Sequence, residues 1–256
     1  ALLTAIKEAV DNSLDACEEA GILPTLKVEI RQLAEDRFRI AVEDNGPGIV
    51  KAQIPKIFGK LLYGSKFHTL KQARGQQGIG ISAAGMYGLL TTGKSIAVTS
   101  RTGHDKPAHY YEIQIDTRKN APQIIIDKVV EWEPRHGTRV EIELVGTYKK
   151  GRHSVDDYVR QTAIANPHCE IFYTPPDSEA PQHLERASDV LPPEPSEIKP
   201  HPYGVELGVL IRMMKETSAR QLGVALRRDF SRVSSRVAEE ICNAASLRPS
   251  ANPHTI

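Results

Sequence analysis

The stretch that most limits what this chain can become runs from Arg37 to Gly48. Phe38, Ile40 and Val42 recur at every second position, the period of a strand with one buried face. The strand runs straight into Asp44-Asn45-Gly46-Pro47-Gly48, where two glycines and a proline end it. Asp44 is thereby left at a strand end, where its carboxylate can accept a hydrogen bond from an exocyclic amine. Read alone, the same residue could be an Asx-turn cap on the Asn45-Gly46 turn. The strand has a partner upstream. Leu26, Val28 and Ile30 alternate with Lys27, Glu29 and Arg31, and Ala34 to Arg37 turns the chain back. The two strands make an antiparallel hairpin.

Ahead of the hairpin, Leu3, Ile6, Val10, Leu14 and Cys17 fall on one side of a helix at about 100° per residue. Glu8, Asn12, Asp15 and Glu19 form a polar stripe on the other side, with Glu8 and Asn12 one turn apart. Alone, such a stripe is a water-facing surface. Beside a strand that ends in an acid and two glycines, it reads as the wall of a site. Gly21 and Pro24 mark the end of the helix.

Residues 53–68 read as a short helix and a loop, and Thr69 to Arg74 as a polar, mobile stretch. Gly75-Gln76-Gln77-Gly78-Ile79-Gly80 follows and opens a helix of small residues beginning Ile81-Ser82. Glycine-rich amides at a helix N-terminus can hold phosphate oxygens. The string lacks the GxxxxGK[ST] spacing of a P-loop, and no βαβ unit surrounds it. Runs 95–101, 110–116, 124–131 and 138–145 then read as strands, Val155–Ala165 as a helix and Cys169–Tyr173 as a last strand.

Beyond Thr174 the composition changes. Eight of the chain's 17 prolines lie between Pro175 and Pro202, which forbids a helix or a central strand. Residues 175–203 are expected to be a proline-rich linker between a domain at 1–174 and another at 204–256. The last segment returns to helical spacing, with apolar stripes Leu207, Leu210, Ile211, Met214, then Leu222, Leu226, Phe230, then Val233, Val237, Ile241. Ser231 is the expected N-cap of the third helix. Arg227, Arg228, Arg232 and Arg236 make a local basic patch, which an ordinary solvated face explains equally well.

With 33 Lys and Arg against 32 Asp and Glu there is no global basic signal, so any DNA contact must be local. The three cysteines are far apart and form no CxxC pair, which argues against zinc and suits a reducing cytoplasm. No run approaches the ~20 apolar residues of a membrane span, and no signal peptide opens the chain. Ala1-Leu2-Leu3 already lies inside the amphipathic pattern, so the chain reads as a fragment cut at the start of its first helix.

These residues resemble the N-box (Glu8, Asn12, Asp15), the G1 box (Asp44, Gly46, Gly48) and the G2 lid (Gly75 to Gly80) of the GHKL ATPases, the family of DNA gyrase, Hsp90, MutL and histidine kinases. The wording around Leu62 to His68 and Arg74 to Ala84 is more specific. It is similar to the B subunits of the type IIB DNA topoisomerases, topoisomerase VI. The resemblance implies an α+β fold, the Bergerat α/β sandwich with a mixed, mostly antiparallel sheet, followed by a small all-helical helix–two-turn–helix domain. It implies ATP bound with Mg²⁺ between helix and sheet. Glu8 would be the catalytic carboxylate, Asn12 the metal ligand, Asp15 an outer group, and Asp44 the reader of the adenine amino group. Gly46, Gly48, Ser65, Lys66, Gly75, Gln76, Gln77, Gly78, Ile79, Gly80, Ile81, Ser82 and Thr138 would contact nucleotide. It further implies slow hydrolysis that acts as a timer, a B–B dimer closed by ATP, an A2B2 heterotetramer with the A subunit, passage of double-stranded DNA, and a nucleoid-associated location. The cleaving tyrosine belongs to the A subunit. A lysine that touches the γ-phosphate comes from a transducer domain, for which the chain has no room. A MutL-like or Hsp90-like ATPase, or a non-catalytic scaffold of the same fold, would explain fewer of these features.

Overall fold

The computed structural model describes residues 1–61, 63, 74, 79–193 and 199–255. They divide into two compact units, one up to residue 193 and one over 199–255.

The first unit is built on one eight-stranded sheet. The hairpin of β1 (Thr25–Gln32) and β2 (Arg37–Asp44) forms as expected, pairing Leu26 with Asp44 and Ile30 with Ile40. Next come β3 (Ile96–Arg101), β4 (Ala108–Asp116), β5 (Ala121–Val130), β6 (Gly137–Val145) and β7 (Glu170–Thr174). A short β8 (Gln182–Leu184) ends the series, and the spatial order is β5-β4-β3-β6-β2-β1-β7-β8. Only β1 and β7 pair in parallel, so the sheet is mixed and mostly antiparallel. β5 starts before its expected position and includes Pro122, which a strand tolerates at a sheet edge because that N–H is not needed there.

One face of the sheet carries the core. Val28, Ile30, Phe38, Ile40, Val98, Ile113, Ile142 and Leu144 meet Leu2, Ile6, Val10 and Leu14 of α1 (Leu2–Glu19). Ile54 and Phe58 of α2 (Ile54–Gly59), Ile81 of α3 (Gly80–Thr92) and Val155 and Val159 of α4 (Val155–Ala165) complete it. The opposite face is laced with ion pairs. Arg139 reaches Glu29, Glu43 and Glu141, while Arg37 and Arg39 share Glu143. Register, not composition, assigns these faces, because every second residue of β1, β2 and β6 points to the same side.

The proline-rich stretch departs from expectation in its first half. β8 pairs with β7, and Arg186 donates to the carbonyls of His168 and Pro24, both at 2.9 Å. Residues 182–186 therefore belong to the sheet edge, which the proline count could not reveal because edge strands tolerate prolines nearby.

The second unit has α5 (Leu207–Glu216), α6 (Leu222–Asp229) and α7 (Ser235–Ala244) around Met214, Leu222, Ala225, Leu226, Phe230, Ala238 and Cys242. The first expected stripe is wrong in part: Leu207 is 71% exposed and Ile211 42%, and only Met214 of that stripe is buried. On α7 the buried positions are the small Ala238 and Cys242 rather than Val237 and Ile241, since small side chains allow closer helix approach. The N-cap is Ser234, whose hydroxyl accepts from the Val237 amide at 3.3 Å, not Ser231. Among the patch arginines, Arg227 donates to Ser235, Arg228 to Ser218, Thr217 and Asp229, and Arg236 to Glu240.

Candidate functional site

A cavity of about 1120 Å³ opens between α1, the loop after β2, α2, the start of α3 and β6. The polar stripe of α1 faces it. Glu8, Asn12, Asp15 and Glu19 all line the cavity, so the stripe is not merely a water-facing surface. On the same wall Ala5, Ala9, Ser13 and Ala16 keep the helix surface low, leaving room that larger side chains would fill.

Asp44 stands at one end, 7% exposed. Its Oδ1 accepts from the Gly46 amide at 2.9 Å and the Thr138 amide at 3.1 Å, and its Oδ2 from the Ser13 hydroxyl at 3.0 Å. The Gly46 contact is the Asx turn, so the turn-capping role and a position on the cavity wall coexist in one side chain. Burial pushes the Asp44 carboxyl up to about 6, although these three donors pull the other way. Sheet register explains the neighbours. Thr138 pairs with Asp44 on one side and with Ser100 on the other, which sets three polar side chains in a row across β2, β6 and β3.

The loop after Asp44 is seated tightly. Gly48 has φ +71°, and a Cβ there would lie 2.0 Å from the Arg101 carbonyl oxygen. The Ile49 amide donates to Ser100 Oγ at 2.8 Å, and His136 Nδ1 lies 2.8 Å from the Gly46 carbonyl. Asn45 accepts from the Thr25 amide and donates to the Leu23 carbonyl, tying the loop to the turn before β1.

At the other end Gly80 abuts Glu8. A Cβ on Gly80 would come within 1.7 Å of Glu8 Oε2, so any larger residue would push that carboxylate out of its present place beside the first turn of α3. The N-cap residue Ile79 offers no side chain to cap α3, and the first turn of the helix lies at the Glu8 end of the cavity. Ile79, Gly80 and Ile81 line the cavity. The Ser82 side chain does not, contrary to expectation, because its fully buried hydroxyl donates to the Ile57 and Lys60 carbonyls. Gly46 likewise shapes the loop from behind, while Gly48 lines the cavity.

Arg74, expected in a mobile stretch, is anchored. Its guanidinium donates to Asp15 at 2.9 Å, to both Glu18 oxygens at 2.7 and 2.9 Å, and to Asn166 at 2.6 Å. His168 Nε2 lies 2.7 Å from Glu18 Oε1. Ser65, Lys66, Gly75, Gln76, Gln77 and Gly78 lie outside the described residues.

Sequence reasoning missed Ser13, Ser100, His136 and Arg74. Ser13 carried a faint signal, a hydroxyl on the helix face between Ala9 and Cys17. The others depend on register and loop placement.

Helix, loop and sheet row make this a nucleotide-binding ATPase domain, and the chain belongs to the histidine kinase-, DNA gyrase B- and HSP90-like ATPase family, whose model matches residues 1–147. Within it, the chain is similar to curated B subunits of type 2 DNA topoisomerase 6. The Methanosarcina barkeri subunit is 50% identical over 256 residues, covering 100% of this chain and 41% of the relative. That of Methanococcoides burtonii is 52% identical over 247 residues, covering 96% and 40%. That of Archaeoglobus fulgidus is 47% identical over 254 residues, covering 99% and 42%. The chain thus spans about two fifths of the length of these relatives.

Proposed function

We propose that this chain is the ATP-binding and ATP-hydrolysing portion of the B subunit of a type IIB DNA topoisomerase. The observation that carries the reading is one cavity with a buried, hydrogen-bonded carboxylate at one end and Glu8 against the N-terminus of α3 at the other. Asp44 accepts from the adenine amino group. The α3 amides meet the phosphates, where Gly75 to Gly78, Ser65 and Lys66 add further contacts.

Glu8 orients the attacking water and takes its proton as the bond to the γ-phosphate forms. Mg²⁺ fits the residues present. Asn12 offers a neutral amide oxygen at the cavity, and no cluster of three or more His, Cys, Asp or Glu side chains suited to a metal occurs among the described residues. That donor set suits an ion that takes most of its ligands from phosphate and water. When bound, Mg²⁺ offsets phosphate charge. Asp15, paired with Arg74, orders this face of α1 rather than binding the ion.

In the assembled enzyme, ATP would close two B protomers and gate duplex passage, with the A subunit cutting DNA in an A2B2 complex. Residues 204–256 would form the helix–two-turn–helix module. No helix among the described residues is long and apolar enough to cross a membrane, and work on DNA places the protein with the nucleoid.

Titration calorimetry with Mg-AMPPNP tests this reading. Wild type and Glu8→Ala should bind, Asp44→Asn should bind at least tenfold more weakly, and Glu8→Ala should lose hydrolysis. A folded wild type that binds no nucleotide would sink it.

A further inference from the structure

The polar row across the sheet contains one residue with no part in the scheme above. Ser100, at the end of β3, is fully buried, and its hydroxyl has three neighbours. It lies 2.8 Å from the Ile49 nitrogen, 2.9 Å from the Gly137 carbonyl oxygen and 3.0 Å from Thr138 Oγ1. A serine hydroxyl has one proton to give and two lone pairs to fill. The Ile49 amide can only donate to it, and the Gly137 carbonyl can only accept from it. The serine proton therefore goes to Gly137, and the remaining lone pair must take the proton of Thr138. This is the one assignment that satisfies all three contacts, and in a buried site an unsatisfied group is costly.

Thr138 lines the cavity beside Asp44. With its proton committed to Ser100, its oxygen can offer the cavity only a lone pair. Asp44, with Oδ1 already taken by two amides and Oδ2 by Ser13, also offers only acceptor capacity. We infer that Ser100 is a positioning residue for nucleobase selection: by fixing the polarity of the Thr138 hydroxyl, it makes that end of the cavity a pair of acceptors. The inference rests on the nucleotide reading above and deepens it. An exocyclic amino group brings two N–H donors to such a pair. A 6-oxo purine brings a carbonyl oxygen and meets two acceptors with a third. Selection then comes as much from refusing guanine as from welcoming adenine, because mismatched polar groups in a desolvated site are left unpaired.

The same contacts give Ser100 a structural duty toward the Ile49 loop, so the test must separate the two. Binding of Mg-AMPPNP and Mg-GMPPNP is measured by calorimetry for wild type, Ser100→Ala, Thr138→Val and the double variant, with thermal unfolding of each as a folding control. Wild type should favour the adenine analogue. Ser100→Ala frees the Thr138 hydroxyl to donate into the cavity, so the adenine-to-guanine ratio should narrow by about tenfold. In the Thr138→Val background the same substitution should leave the ratio unchanged, since no hydroxyl remains to reorient. Should Ser100→Ala not fold, Ser100→Cys is read the same way, a side chain of similar size with a poorer donor and acceptor. A ratio untouched by Ser100→Ala in a folded protein would overturn the inference, as would an equal change in the Thr138→Val background. If wild type binds neither analogue, the nucleotide reading itself fails first.

Discussion

At the scale of single residues, Asp44 carries the clearest pH dependence. Its folded carboxyl stands near 6, above the ordinary 3.8, because burial outweighs its three donors. Between those values the folded state holds a proton that the unfolded chain has released, so this group's contribution to stability grows as pH falls through that window. Nucleotide binding runs the opposite way, since a protonated Asp44 donates where it should accept. AMPPNP affinity should therefore weaken as pH drops below about 6 while the unliganded fold gains from this group; parallel calorimetry and thermal melts between pH 5 and 8 would check both signs. Asp44→Asn removes the desolvation cost and keeps an acceptor for the Gly46 and Thr138 amides. It should leave the melting temperature near pH 7 unchanged or raised even as binding is lost. Gly80→Ala is the counterpart at the other end. Its Cβ displaces the Glu8 carboxylate, so phosphate release should fall at least tenfold, a cost typical of displacing a reacting group by an ångström.

At the scale of elements, Arg74 bridges α1, through Asp15 and Glu18, and Asn166 at the end of α4. Burial raises the Glu18 carboxyl, but hydrogen bonds from Arg74 and His168 more than offset this and hold it below the usual carboxylate range. That stabilisation is present above the unfolded pKa and is lost as pH falls through the folded one. Arg74→Ala leaves Glu18 and Asp15 without their guanidinium partner and should cost about 1–3 kcal/mol, measured by denaturant unfolding. A smaller effect is expected at α4, where Ser154 Oγ accepts from the Asp157 amide at 3.1 Å. Ser154→Ala should cost ~1 kcal/mol by the same measurement.

At the scale of the whole molecule, two separate cores predict two reporters. The single tryptophan, Trp132, lies between β5 and β6, so its fluorescence follows the sheet unit alone. Nucleotide at a hundredfold excess over its dissociation constant should stabilise that unit by about 2.7 kcal/mol. A melt followed by Trp132 should shift upward, while the circular dichroism of the helical unit's share stays in place. Coincident shifts in both signals would show that the units melt together.

Local chemistry determined much of this protein by itself. Short apolar runs yield β1 to β7 to within a few residues, though not β8, and Val155–Ala165 is a helix to the residue, since these patterns are short-range. That Glu8, Asn12 and Asp44 border one cavity was legible, because a polar helix stripe beside a strand that ends in an acid and two glycines calls for a space between them. What only the tertiary structure decided needs contacts distant in sequence. Asp44, Thr138 and Ser100 meet because β6 lies between β2 and β3, a register that no local pattern encodes. Arg74 reaches Asp15 and Glu18 across 59 and 56 residues. The exposed Leu207 and Ile211 show the converse, since an apolar stripe states only that a face can be buried, and packing chooses which side chains are.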